Sequence, residues 1–107
     1  MNRELLKGHS ELIILAALAQ RPMHGYSLSE HIKSQVPETF KFGVGMIYPL
    51  LHRLEQKNLI RGVWQGPGGM RRRVYSLTAR GKKALAAKRD EWQTFQSMMT
   101  NVAIPTR

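Results

Sequence analysis

The stretch Gly43-Val44-Gly45-Met46-Ile47-Tyr48-Pro49-Leu50-Leu51-His52-Arg53-Leu54 decides the fold. Ile47, Leu50, Leu51 and Leu54 recur at i, i+3, i+4 and i+7, the spacing of a helix with one buried face. Met46, Tyr48, Pro49, His52 and Arg53 are then left facing outward or sideways. Pro49 is expected in the first turn, where its missing N–H costs least. Asn58 tolerates the left-handed conformation that ends a helix.

Two further helices are expected upstream. One starts at Ser10 as N-cap and carries Leu12, Ile13, Leu15, Ala16 and Leu18, apolar nearly all round and therefore buried on more than one side. Arg21-Pro22 stops it. The next begins near Gly25 or Tyr26, carries Leu28 and Ile32 at i, i+4, and ends at Pro37. Downstream, strands over 60–65 and 71–77 flank Gly66-Pro67-Gly68-Gly69-Met70, a hairpin tip. Thr78 caps a last helix that runs to about Ala103. The fold class is mainly α with a two-stranded β-hairpin (α+β): a winged helix-turn-helix over 1–78, then a long C-terminal helix over 79–104.

Charge narrows the partner. Seventeen Lys and Arg against seven Asp and Glu give a net charge of +10. Ten of the basic residues (Lys57, Arg61, Arg71, Arg72, Arg73, Arg80, Lys82, Lys83, Lys88, Arg89) fall in a span that contains no acid. Such a field selects polyanions. The longest apolar run, 12–19, is too short to cross a bilayer, so a cytoplasmic location and no membrane partner are expected. There is no cysteine, so no disulfide and no thiolate metal site.

In a winged helix-turn-helix the third helix enters the major groove of double-stranded DNA and the hairpin follows the backbone. That assigns DNA binding to Met46, Tyr48, Pro49, His52 and Arg53 on the helix and to Arg71, Arg72 and Arg73 on the wing. Tyr48 could equally pack into the domain. On this reading Arg72 and Arg73 act alike, as phosphate contacts. The alternative is a basic interaction module that binds RNA or a protein partner. An RNA binder would display aromatics on a sheet for base stacking; Trp64 and Tyr75 are instead expected in the core.

The residues resemble the PadR-type transcriptional regulators. Leu5-Leu6-Lys7-Gly8, His24-Gly25-Tyr26-Ser27-Leu28, the stretch from Gly45 to Glu55, Trp64, the segment from Gly68 to Tyr75 and Leu77-Thr78-x-x-Gly81 occur in that family's order over nearly the whole chain. The resemblance implies a homodimeric repressor, often controlled by a small molecule such as a phenolic acid or a drug. It is similar to the compact members with a single C-terminal dimerisation helix. One position departs from the pattern: the family usually carries Thr where this chain has Met46, which replaces a capping or phosphate-binding hydroxyl by an apolar group able to meet a thymine methyl.

On the last helix Leu85, Trp92 and Met99 recur every seven residues, with Phe95 and Val102 between them. This face is expected to pair two subunits, the other reading being packing back onto the same chain. In compact members of the family, paired tryptophans border a pore for flat aromatic ligands, which makes Trp92 the candidate pocket residue for a small aromatic effector. Catalysis finds no support. Asp90 and Glu91 diverge on a helix, and His9, His24, His31 and His52 lack the spacing for a shared ligand face. Gly43-x-Gly45 is followed by no Lys-Ser/Thr. No enzyme activity, cofactor or metal is expected.

Overall fold

The computed structural model describes residues 3–38 and 43–104, with side chains from Gly8 onward except that of Val44. The chain runs α1 (Arg3–Gln20), β1 (Met23–His24), α2 (Gly25–Lys33), α3 (Val44–Gln56), β2 (Ile60–Gln65), a single 3-10 turn (Gly68–Met70), β3 (Arg72–Leu77) and α4 (Ala79–Ala103). The α+β winged helix-turn-helix with a long last helix is therefore observed.

The leucine stripe of α3 does what its spacing demands. Ile47, Leu51 and Leu54 are fully buried, and they meet Ile14, Leu15 and Leu18 from α1 and Leu28 and Ile32 from α2. Asn58 ends α3 in the left-handed region at φ 61°. The Leu59 N–H reaches back to the Leu54 carbonyl at 3.0 Å and the Asn58 N–H to Glu55 at 2.9 Å, so the last carbonyls of α3 are satisfied.

Four expectations change. The helix α1 starts at Arg3, and Ser10 lies inside it, 4% exposed; strong helix formers at Glu4 to Lys7 carry the helix upstream past the serine. Pro49 lies well inside α3 because the helix starts at Val44. Its absent N–H leaves the Gly45 carbonyl without its usual donor, at a helix end that faces solvent. The sheet has three strands, in the order β1-β3-β2, with Met23 opposite Tyr75 and His24 opposite Val74. Finally, Leu85 is 3% exposed within the core of its own chain, which removes it from the expected pairing face.

The hairpin register runs from Ile60 opposite Leu77 to Gln65 opposite Arg72, and Gly66 takes φ 102° to reverse the chain. Thr78 caps α4 through its hydroxyl, which accepts the Gly81 N–H at 2.9 Å and donates to the Asn58 carbonyl at 2.7 Å. Glu11 ties three helices together: its carboxylate meets Lys57 at 2.9 Å, Lys88 at 3.5 Å and Arg53 at 4.0 Å. Burial pushes the Glu11 carboxyl up, but the hydrogen bond and charge of Lys57, with those of Lys88, bring it below the ordinary carboxylate value.

A carboxyl depressed by folding stabilises the protein above its unfolded pKa, and that contribution is lost as pH falls through the folded value. Thermal melting of wild type and Glu11→Gln is expected to differ by about 1 kcal/mol at neutral pH, these ions being partly solvated, and to converge below pH ~4. A constant gap down to pH ~3 would remove the ion pairs as its cause.

Candidate nucleic-acid interface

The wing and α3 are brought against the start of α2, and the space between them is a cleft of about 390 Å³. His24, Gly25 and Tyr26 form one wall, Tyr48 and Tyr75 the floor, and Trp64, Arg71, Arg72 and Arg73 the wing side. No carboxylate is among these lining residues. Tyr48 is 46% exposed. Its ring lies over Gly25, where an added Cβ would come within 2.6 Å of the ring. The tyrosine therefore both packs on the domain and presents its edge to solvent, which reconciles the two readings of that residue. Glycine at 25 is what lets the ring approach.

The expected interface residues do not all gather here. Pro49, His52 and Arg53 are exposed on α3, but Arg53 reaches toward Glu11 at 4.0 Å rather than toward the cleft. Met46 packs against the core and is only partly accessible, because the turn that carries it lies close to α2 and the core. Trp64 is 53% exposed, not core as expected. It shares a face with Ile60 and Tyr75 but stands toward the tip of the wing, past the part of the sheet that the core covers, and the Arg71 and Arg73 guanidiniums each lie 5.7 Å from its ring. Tyr75, on the same face but opposite Gly62 and so nearer the core, is buried as expected.

The three wing arginines are not equivalent. Arg73 is bound to Glu55 of α3, with Nη2 donating to Oε2 at 2.6 Å and Nε to Oε1 at 3.4 Å. The hydrogen bond to Glu55 raises the Arg73 pKa, with desolvation opposing it. Gly62 keeps the space this guanidinium needs, since a Cβ there would approach Arg73 Nε to 2.5 Å. Arg73 is thus a strut between the wing and α3. Burial, then the charge of Glu55, also pushes the Tyr75 phenol up. Arg71 and Arg72 are exposed, and neither has a carboxylate partner among the described residues.

A strut and a phosphate contact respond differently to mutation. Arg73→Ala is expected to weaken DNA binding roughly tenfold by freeing Glu55 beside the cleft. Arg73→Met with Glu55→Met, which removes both charges together, should recover to within roughly threefold of wild type. An affinity of the double variant as low as that of Arg73→Ala would make Arg73 a direct contact.

A second cleft, of about 350 Å³, lies between α1 and α4 and is lined by Gly8, His9, Leu12, Lys88, Glu91, Trp92 and Phe95. The Trp92 ring packs edge-on against His9 at 5.3 Å and tilts against Phe95 at 6.1 Å.

A three-helix unit followed by a hairpin wing that shares a basic cleft with the third helix defines a winged helix-turn-helix protein. The chain belongs to the PadR-like family of transcriptional regulators, whose family model matches residues 14–87. It is 32% identical over 87 residues to the transcriptional regulator Rv3488 of Mycobacterium tuberculosis, covering 81% of this chain and 78% of the relative. It superposes on a PadR-like transcriptional regulator from Bacillus cereus with a TM-score of 0.84 at 30% identity, covering 95% of this chain and 98% of the other. The fold is also that of Bacillus subtilis PadR crystallised with operator DNA, at a TM-score of 0.66 and 24% identity, over 73% of this chain and 45% of that one.

Of the residues that line the cleft, His24 and Tyr26 escaped assignment from sequence although they lie in a quoted motif. The signal was their place beside Gly25, but only the fold puts that turn against the wing. No helix among the described residues is long and apolar enough to cross a membrane.

Proposed function

We propose that this regulator is a sequence-specific DNA-binding repressor that acts in the cytoplasm as a homodimer. The observation that carries the reading is the arginine-lined cleft, free of carboxylates along its lining, that α3 and the wing share. The excess of positive charge and the operator complex of Bacillus subtilis PadR support it. Residues 1–78 supply the DNA-binding unit and 79–104 the pairing helix. A twofold dimer would read a pseudo-palindromic operator with half-sites about one helical turn apart.

The pairing face is Trp92, Phe95, Met99 and Val102, joined by Met98; their exposures run from 39% to 76%. Residues 92–104 include no charged side chain, an unusual surface for a helix that stands alone in water. The cleft at Trp92 is the site we assign to a small planar aromatic effector that releases the DNA. Planar dyes are expected to quench wild-type tryptophan fluorescence and to leave that of Trp92→Ala, which retains Trp64, unchanged; equal quenching of both would remove the pocket.

Fluorescence anisotropy over a salt series tests the central reading. A duplex from upstream of the chain's own coding sequence should win over a scrambled one by about a hundredfold or more. The exposed Trp64 favours a second reading, RNA binding by base stacking, although the two arginines that cover the ring compete with a base for it. Tighter binding to single-stranded RNA than to either duplex would establish that reading in place of the first.

A further inference from the structure

We propose that His24 and Arg72, with the Ser27 hydroxyl, form a seat for one backbone phosphate of duplex DNA at the edge of the cleft; this rests on the DNA-binding reading above. His24 is the N-cap of α2, and its Nδ1 accepts the Ser27 backbone N–H at 3.2 Å. Neutral imidazole has a single acceptor nitrogen, so its proton then sits on Nε2. That nitrogen lies 2.9 Å from Ser27 Oγ and 3.0 Å from Arg72 Nη1.

A guanidinium only donates. The Arg72 contact is therefore donor against donor. The opposite tautomer would accept from Arg72, but it would turn Nδ1–H against the Ser27 N–H and undo the cap. Neutral His24 can serve the helix or the arginine, not both, and the imidazolium serves neither. Arg72 is thus held at the cleft with full charge, exposed, and with no acceptor among the described residues. Arg73, one residue on, has its carboxylate.

An anionic oxygen placed between these groups resolves the conflict. It accepts from Arg72 Nη and shares the Nε2–H edge of the imidazole. The Ser27 hydroxyl, which accepts from that edge, keeps its own proton to donate. A phosphodiester suits such a seat, with one charge spread over two oxygens that each take several donors. The same cleft carries Tyr48 of α3 and Trp64 of the wing, between which a DNA strand would run.

The test uses the full chain and the upstream duplex. His24→Asn keeps a good N-cap acceptor but not the ring edge that reaches Arg72. It is expected to melt within a few degrees of wild type and to bind DNA roughly fivefold more weakly, with the salt slope unchanged because no charge is lost. Arg72→Gln should lose roughly tenfold in affinity and about 0.9 in slope. The double variant should be no weaker than Arg72→Gln, since both residues serve one phosphate. Losses that multiply in the double variant, or His24→Asn binding as wild type, would overturn the seat. His24→Asp adds a cap and an ion pair to Arg72, so it should melt at or above wild type yet bind more weakly than His24→Asn; wild-type affinity there would overturn it too. Inorganic phosphate at matched ionic strength should leave wild-type binding unchanged. Displacement by phosphate that Arg72→Gln abolishes would make this a site for the free anion and overturn its assignment to DNA. Failure of wild type to bind any duplex would be a different result, ending the DNA-binding reading itself.

Discussion

Replacing Phe95 and Met99 together by glutamate is expected to convert the protein to a single 12.2 kDa chain and to abolish specific operator binding at concentrations where wild type is saturated. Both side chains lie on the part of α4 beyond the core, 43% and 40% exposed. The stripe they belong to begins inside the domain: Leu85 fills the core, and two turns later the same face emerges past Lys88 with Trp92. Beyond Leu85 the stripe stays exposed, from 39% at Trp92 upward, with the His9 ring against Trp92 on the α1 side. Two copies laid seam to seam would bury ten large apolar side chains, each worth on the order of 1 kcal/mol when only half its surface is involved. Four carboxylates in that seam would have no cations opposite, and burying even one unpaired costs several kcal/mol.

The loss in DNA affinity follows from linkage of half-sites. A dimer holds its second reading head near the second half-site at millimolar effective concentration, so separation of the heads should cost on the order of a hundredfold to ten-thousandfold. Sedimentation equilibrium reads the first effect and anisotropy the second. The fold of each chain should persist, because its core is made by α1 to α3, the sheet and the first turns of α4. A double-glutamate variant that still sediments as two chains would move the dimer interface elsewhere.

The largest single-residue effect on stability is expected at Gly81. Alanine at an exposed glycine inside a helix ordinarily gains up to about 1 kcal/mol. Here the sign reverses. A Cβ at 81 would collide with the Leu59 carbonyl oxygen and lie 2.9 Å from its carbon, and these are backbone atoms that cannot swing aside. Leu59 itself is fixed, since its N–H closes α3 and its carbonyl accepts the Thr78 N–H at 3.2 Å.

To admit the methyl, the start of α4 must lift from the turn at Asn58. That movement breaks the Thr78 cap and drags Leu85 in the core. Overpacking of this kind costs about 1–3 kcal/mol and loss of a cap about 1 more. For a domain of this size the sum lowers the melting temperature by roughly 10–25 °C. Gly8→Ala, where nothing lies within 4 Å of the added carbon, is the control and should melt at or slightly above wild type. Equal melting of the two variants would mean that α4 does not dock on Leu59 as described.

Much of this architecture could be read from the chain because the signals are local. The leucine spacing of α3, the left-handed Asn58, the glycine tip of the hairpin and the threonine before α4 each act within a few residues. The structure places them where the sequence reading does. The errors share a different cause. Two residues of β1 are too few to show an alternating pattern, and they form a strand only because β3 offers an open edge. Trp64 is expected in the core together with Tyr75, and only Tyr75 is there. The tryptophan's exposure depends on how far along the hairpin the core reaches: Ile60 and Tyr75 on the same face are buried, and Trp64 nearer the tip is not. Leu85 belongs to a heptad with Trp92 and Met99, yet the heptad does not record where the domain ends and open helix begins.

By itself, then, the sequence determined the four helices and the hairpin with their order, the basic character of the chain and the resemblance to a regulator family. Hydrophobic period, turn chemistry and charge are properties of neighbouring residues. Only the tertiary structure decided the division of labour among three consecutive arginines. It set Arg73 on Glu55, stacked Arg71 on Trp64, and placed Arg72 against His24, whose ring also caps α2. Those partners lie 18, 7 and 48 residues away. Which of them each arginine meets depends on how the strands pair and where the helices dock, and no local pattern carries that information.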